Sequence, residues 1–194
     1  MYESHVITDI DSQDLYALHQ ETWRKFTGKD RPRRDAPKTP FLYWPMTSEG
    51  QKGTCLMIRS EQPSFVKDFS KKGVEFDPAV GDEVSFVIRL CLTSRAPVTN
   101  GKGQVVKKNR ETDLEPEEIS DWVGERMRAR GMEVLSLKVR SLNKYNVKRH
   151  GYSFQGGELM LKVKVTDPVL AKQAYVNGIG RQKAFGFGMM VIVG

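Results

Sequence analysis

Three histidines could move a proton near neutral pH: His5, His19 and His150. An unperturbed imidazole titrates near ~6.5, so it exchanges protons under physiological conditions. His19 has the most suggestive neighbourhood. Tyr16, His19 and Trp23 recur at helical spacing, which puts Tyr16 and His19 on one helix face, a turn apart. A histidine so placed can act as a general acid or base. It can equally be a structural residue of its helix. His5 reads as a satisfied residue of a first strand, and His150 lies in a basic loop where it could meet a phosphate.

A second stretch offers backbone chemistry. Residues 178–188 read Gly-Ile-Gly-Arg-Gln-Lys-Ala-Phe-Gly-Phe-Gly, with four glycines and two cations in eleven residues. Glycines allow sharp turns and close approach to a ligand, so backbone N–H groups with Arg181 and Lys183 could meet an anion. The spacing is not a dinucleotide fingerprint, because Lys183 occupies the place of the third glycine. It is not a P-loop, because no G-K-[S/T] occurs in the chain. A tight helix-to-strand connection with ordinary surface cations is the alternative.

These residues need elements to hold them. The 194 residues suit one large domain or two small ones, and 39% hydrophobic with 28% charged residues fits a soluble globular chain. No apolar run reaches membrane-spanning length, and the start of the sequence lacks the features of a signal peptide. Cys55 and Cys91 read as buried free thiols, which fits a reducing cytoplasm. No Cys/His cluster has metal-ligand spacing, so neither a metal nor a cofactor is expected. Lys plus Arg number 31 against 24 Asp plus Glu, a net charge of +7 that favours an anionic partner, nucleic acid first. The cations cluster: Lys29, Arg31, Arg33, Arg34 and Lys38; Lys102, Lys107, Lys108 and Arg110; Arg126, Arg128 and Arg130; Lys138, Arg140, Lys144, Lys148 and Arg149.

Residues 2–10 read as a strand. Asp11 and Ser12 offer helix caps, and the spacing of Leu15, Leu18, Thr22 and Phe26 predicts a helix over about 12–26. A proline-containing basic loop (27–40) leads to strands at 41–46 and 54–60. A short helix follows from Gln62-Pro63-Ser64 to near Phe69, then a brief strand at 74–76. Residues 78–82 make a turn, which suggests domains of 1–80 and 81–194. The order then recurs. A strand at 84–92 is followed by a polar, basic loop at 94–112. A helix is opened by Pro116 at its first position, with Ile119, Trp122, Val123 and Met127 as its apolar stripe. Strands at 132–142 and 158–165 flank a hairpin loop carrying Lys148, Arg149 and His150. The last helix runs from Asp167-Pro168 to Asn177-Gly178, and a final strand from 189 to 193. Both halves therefore read β-α-β-β-α-β, the ferredoxin-like arrangement of an α+β fold. The aromatic signature of a typical RNA-binding sheet module is absent.

The segment 14–23, Asp-Leu-Tyr-Ala-Leu-His-Gln-Glu-Thr-Trp, resembles the first helix of the CasE family, the CRISPR repeat-processing endoribonucleases of type I-E systems. Met1-Tyr2 and the short first strand fit as well. Residues 178–188 are similar to that family's C-terminal loop and follow its G-[IV]-G-x-x-K-[AS]-x-G-x-G pattern throughout. Residues 86–90 resemble the strand opening its second half, and 154–159 the strand before its last helix. The resemblance implies tandem ferredoxin-like (RAMP/RRM-like) domains. It implies a cytoplasmic, metal-independent endoribonuclease that cuts CRISPR precursor RNA at the 3′ base of the repeat hairpin. The ribose 2′-hydroxyl attacks, leaving a 2′,3′-cyclic phosphate and a 5′-hydroxyl. The mature guide RNA then stays bound, with the protein a subunit of the surveillance complex. Carried over by position, His19 is the acid/base, Tyr16 its hydrogen-bonding partner, and Lys183 with the loop backbone a phosphate holder. The expected RNA contacts are Arg31, Arg33, Arg34, Lys107, Lys108, Arg110, Arg126, Arg130, Lys148, Arg149, Gly178, Gly180, Arg181, Lys183, Gly186 and Gly188. A non-catalytic RNA-hairpin-binding subunit of the same fold is the alternative.

Overall fold

In the computed structural model, residues 1–30, 39–46, 53–64, 75–147, 149 and 151–193 are described, with 96–99 and 105–110 described in backbone alone. Two antiparallel sheets organise the chain. The first holds β1 (Tyr2–Thr8), β2 (Phe41–Met46) and β3 (Thr54–Ser60) in the order β1-β3-β2. The register sets both Tyr2 and Phe41 opposite Ser60. Pro45 is tolerated in β2 because that strand is an edge. Helix α1 (Leu15–Thr27) covers this sheet. Leu18, Trp23 and Phe26 pack against Phe41, Tyr43, Leu56 and Ile58.

The second sheet runs β7-β8-β4-β9, from β4 (Glu83–Cys91), β7 (Met132–Val147), β8 (Tyr152–Val165) and β9 (Met190–Ile192). Its first and third strands pair centrally, with the fourth beside the first, as a βαββαβ unit requires. Helices α2 (Ile119–Arg128) and α3 (Pro168–Asn177) cover one face. Phe86, Ile88 and Leu90 of β4 and Leu159, Leu161 and Val163 of β8 meet Val123, Met127, Ala171 and Tyr175 there. Asp167 caps α3 by accepting from Val169 and Leu170 N–H groups, with Pro168 just behind it, as the sequence indicates.

Several expectations change. The cap of α1 is Asp14, which accepts from Ala17 N–H at 3.0 Å. Asp11 instead accepts from Gln13 N–H in the turn before it. The stretch expected to be a loop at 94–112 is a hairpin, β5 (Thr93–Thr99) with β6 (Val105–Asp113). Its polar cross-strand pairs, such as Arg95 with Glu111, hide it from any hydrophobic period. Strands β7 and β8 extend past the expected 142 and 158 to Val147 and Tyr152. No strand forms at Glu75 or Phe76; Phe76 instead lies on Tyr175, ring centroids 4.7 Å apart. Val74 and the helix expected to end near Phe69 fall outside the described residues. Cys91 is buried and Cys55 half-buried, both as free thiols.

The halves are joined by buried contacts. Leu42 and Trp44 of β2 meet Val87 and Met189. Arg59 of β3 pairs with Glu3 at 2.6 Å, donates to the Met190 carbonyl at 2.8 Å and lies 3.8 Å over the Tyr175 ring. Leu15, at the start of α1, enters an aromatic cluster of Tyr145, Phe154, Phe185 and Phe187. Helix α1 is thus shared. One part of its surface serves its own sheet and its first turn serves the second half, where the candidate site forms.

Candidate nucleic-acid interface and active site

His19 sits on α1 at the seam between the halves and is 1% exposed. Its ring meets the edge of Phe185, centroids 6.0 Å apart at 77°. Phe185 ends a 3-10 turn, Lys183–Phe185, inside the glycine-rich loop. The two sequence stretches singled out for chemistry therefore touch. Tyr16 is half-buried one turn earlier, with the Arg149 guanidinium 4.5 Å over its ring. Lys183 donates from Nζ to the Asn177 carbonyl at 2.8 Å.

The loop is a closed clasp. Ile179 N–H donates to Gly188 O at 2.8 Å, and Gly188 N–H donates to Arg89 O at 2.7 Å. Phe185 N–H donates to Gln182 O, and Gly186 N–H to Lys183 O. A Cβ at Gly188 would lie 2.3 Å from Ile179 O, and φ there is +85°, so only glycine fits. At Gly156 of β8 a Cβ would lie 2.6 Å from the Phe187 ring; its absence lets the loop's aromatic seat on the strand. Gly178, Gly180 and Gly186 also take positive φ. Tyr43 of β2 donates its hydroxyl to Ala184 O at 3.1 Å, and burial pushes this phenol's pKa far up, so it remains a donor. The glycines therefore have structural work to do, as the tight-connection alternative anticipates.

Arg181 has partners within the fold. Its guanidinium donates to Glu111 and to both oxygens of Thr93, binding the loop to the β5–β6 hairpin. Glu111 is shared with Arg95. Across from Arg181, Arg126 of α2 lies 3.3 Å over the Trp122 ring and donates to Trp122 O. Arg130 donates to Arg126 O at 2.8 Å. Burial holds the Arg126 pKa below its usual value, and the nearby charges of Arg130 and Arg181 lower it further. Three expected RNA contacts thus lie near one another beside the loop.

A cleft of about 520 Å³ opens beside Tyr16. Asp11, Gln13 and Asp14 line it from the turn before α1, and Lys144, Asn146 and Arg149 from the β7–β8 hairpin. Lys144 also pairs with Asp113.

The remaining candidates lie elsewhere. His5 is exposed on β1. Lys107, Lys108 and Arg110 belong to β6, described in backbone only. Arg31, Arg33, Arg34, Lys148 and His150 lie outside the described residues. Sequence reasoning missed Arg89. It is 8% exposed, donates to the Tyr145 hydroxyl at 2.8 Å and lies within 5.0–6.0 Å of the rings of Phe187, Tyr145 and Trp44. A lone arginine in an apolar strand was its only signal. Lys144 and Asn146, two apart on β7, carried the signal of a shared strand face.

Comparisons with known proteins agree on one family. The family described as CRISPR associated protein matches residues 1–193. The crystal structure of the CRISPR-associated protein Cas6e from Escherichia coli K-12 superposes with a TM-score of 0.71 at 20% identity, covering 100% of this chain and 99% of that one. A structure of the CRISPR endoribonuclease Cse3 bound to a 19-nucleotide RNA gives 0.71 at 15% identity, with 100% of both chains covered. A chain of E. coli Cascade bound to a PAM-containing double-stranded DNA target gives 0.58 at 19%, covering 100% of this chain and 99% of that one. No curated protein matches the sequence. At these identities the structural likeness establishes the fold, an α+β pair of ferredoxin-like units.

Proposed function

Because the chain belongs to the CRISPR-associated protein family, we propose that it is a CasE-type endoribonuclease that cleaves CRISPR precursor RNA at the 3′ base of the repeat hairpin. The observation that carries this reading is the contact between the Tyr16–His19 turn and the Lys183–Phe185 turn, most directly His19 against Phe185. It joins a proton-transfer group to a basic loop, the two components that phosphodiester cleavage by a neighbouring ribose needs.

The chemistry is transesterification. The upstream 2′-oxygen loses its proton and attacks the adjacent phosphorus, the bond to the 5′-oxygen breaks, and that oxygen takes up a proton. His19 moves one or both protons. Tyr16 hydrogen-bonds and orients, and Lys183 offsets charge growing on the phosphorane oxygens. Since His19 is 1% exposed, the residues packed on it, Phe185 among them, have to move before a ribose can reach it. The patch of Arg126, Arg130 and Arg181 is suited to the phosphates of the stem. A stem held there survives a cut at its edge, so the product stays bound. Retention of the guide RNA as a subunit of a surveillance complex, metal independence, a cytoplasmic location and a division into 1–80 and 81–194 all belong to this proposal. The related Cascade and RNA-bound structures support it.

The burial of His19 favours one other reading, a hairpin-binding subunit that does not cut. Single-turnover cleavage beside equilibrium binding decides between them. His19→Gln is the better variant, because alanine would leave a cavity at this buried position. Cleavage by His19→Gln should slow by roughly a hundredfold or more with hairpin affinity kept. Lys183→Ala should lose affinity, and cleavage rate with it. Cleavage should persist in EDTA and stop with a single 2′-deoxy substitution at the cut ribose. Parental cleavage by His19→Gln, or cutting of the deoxy substrate, overturns the mechanism. Binding without cleavage by the parental protein establishes the second reading.

A further inference from the structure

The geometry points to a base-reading pocket in the cleft beside Tyr16, which receives the first unpaired nucleotide 3′ of the cleaved bond and selects a base carrying an exocyclic amino group. This rests on the endoribonuclease reading above and deepens it. At about 520 Å³ the cleft has the size of a small-ligand site and room for a nucleoside. Its lining decides what enters. Asp11 and Asp14 place two carboxylates against two cations, Lys144 and Arg149. Lys144 is already paired with Asp113, and the Arg149 guanidinium is spread over Tyr16. A phosphate would meet carboxylates here, whereas beside α2 Arg126, Arg130 and Arg181 outnumber Glu111 and Glu125. An uncharged base fits the cleft better. Its flat face can stack on the Arg149–Tyr16 pair, as unpaired bases do on guanidinium and aromatic planes.

The edge groups set the choice. Asp11 and Asp14 each use one oxygen, Oδ1, on a backbone N–H of the turn or the helix, and an ionised carboxylate can only accept. An acceptor rewards the amino group of cytosine, adenine or guanine, while the Gln13 and Asn146 carboxamides can match an adenine edge. Uracil has no amino group; its single N3–H lies between two carbonyl oxygens that the carboxylates repel, so it is disfavoured. Position fixes the nucleotide. Tyr16 is three residues before His19, about 4.5 Å along the helix axis, so the cleft adjoins the cleaved bond. On the 5′ side of a cut at the stem base the nucleotide is paired, which leaves its 3′ neighbour.

The test uses four repeat hairpins that differ only in that nucleotide, with cleavage rates and the affinities of their uncleavable 2′-deoxy forms. The parental protein should prefer adenine, cytosine and guanine to uracil by about tenfold or more. Asp11→Asn and Asp14→Asn keep side-chain size, and asparagine caps helices as well as aspartate does. With circular dichroism confirming the fold, the preference should shrink in at least one of them to within about threefold, because a donor replaces an acceptor. Equal rates and affinities for all four hairpins overturn the pocket and leave the endoribonuclease reading intact. So does a preference that survives in both variants. Failure to cut any hairpin while binding them all overturns the catalytic reading instead, and the affinities then still report on the base.

Discussion

Helix α1 and the loop at 178–188 pack on each other, yet they are built on opposite terms. In α1 the side chains carry the structure. Leu15, Leu18, Thr22 and Phe26 are all buried to 2% exposure or less, and the helix shares them between its own sheet and the aromatic cluster of the second half. In the loop the backbone carries it. Hydrogen bonds from Ile179, Phe185, Gly186 and Gly188 close it on itself and on β4, and its larger cation is spent on Glu111 and Thr93. A glycine-rich basic stretch can therefore be a clasp first and a ligand grip second. What it contributes to the site is Lys183, Phe185 and a fixed seat for α1.

The most severe way to break this comparison is at Gly188. An alanine Cβ would stand 2.3 Å from Ile179 O in backbone that L-residues avoid. Gly188→Ala should cost at least about 2 kcal/mol in denaturant unfolding, with RNA binding and cleavage lost together. If it unfolds like the parent and loses only RNA affinity, the loop is a ligand grip after all and the clasp account fails.

Helix α1 and α3 were legible because their signals are local, a 3.6-residue apolar period in one and Asp167-Pro168 to Gly178 punctuation in the other. The β5–β6 hairpin was not, because its sequence is largely polar and charged pairs such as Arg95 with Glu111 join its strands. The alternating order of elements was enough to give the fold class. In the site, Tyr16 and His19 could be placed on one face from spacing alone. Their surroundings could not. Nothing in a helical period says that Phe185, from the far end of the chain, will close over His19, or that Arg149 will lie on Tyr16. Arg181 looked free for phosphate because its partner Glu111 sits in the misread hairpin. These are tertiary facts, settled by which strands pair.

A smaller intervention sharpens the contact itself. Phe185 covers His19, while His5 is exposed on β1. In the free protein diethylpyrocarbonate should modify His5 several-fold faster than His19. Phe185→Leu keeps most of the apolar volume while withdrawing the ring edge. It should narrow that difference and lower stability by roughly 1 kcal/mol. Equal reactivity of the two histidines in the parent would mean that the loop does not shut His19 away in solution.

The smallest expected effect concerns the charge that the clasp consumes. Glu111 neutralises part of a cluster in which Arg95, Arg126, Arg130 and Arg181 lie close together. Glu111→Gln keeps a side chain able to accept from Arg181, and Thr93 O still holds that guanidinium at 2.7 Å, so the loop should stay seated. The pairs removed are partly exposed, and such pairs contribute roughly 1 kcal/mol or less to stability. The local charge, however, becomes more positive by one. If this patch meets the RNA stem, affinity for the hairpin should rise two- to threefold at low salt, and the dependence of log K on log salt should steepen by roughly one unit or less. Unchanged affinity would place the stem away from the patch and leave Arg181 a purely structural residue. Reduced affinity with an intact fold would reverse the comparison, because it would mean that the Glu111 pair aims Arg181 at the RNA and that the clasp exists to build the grip.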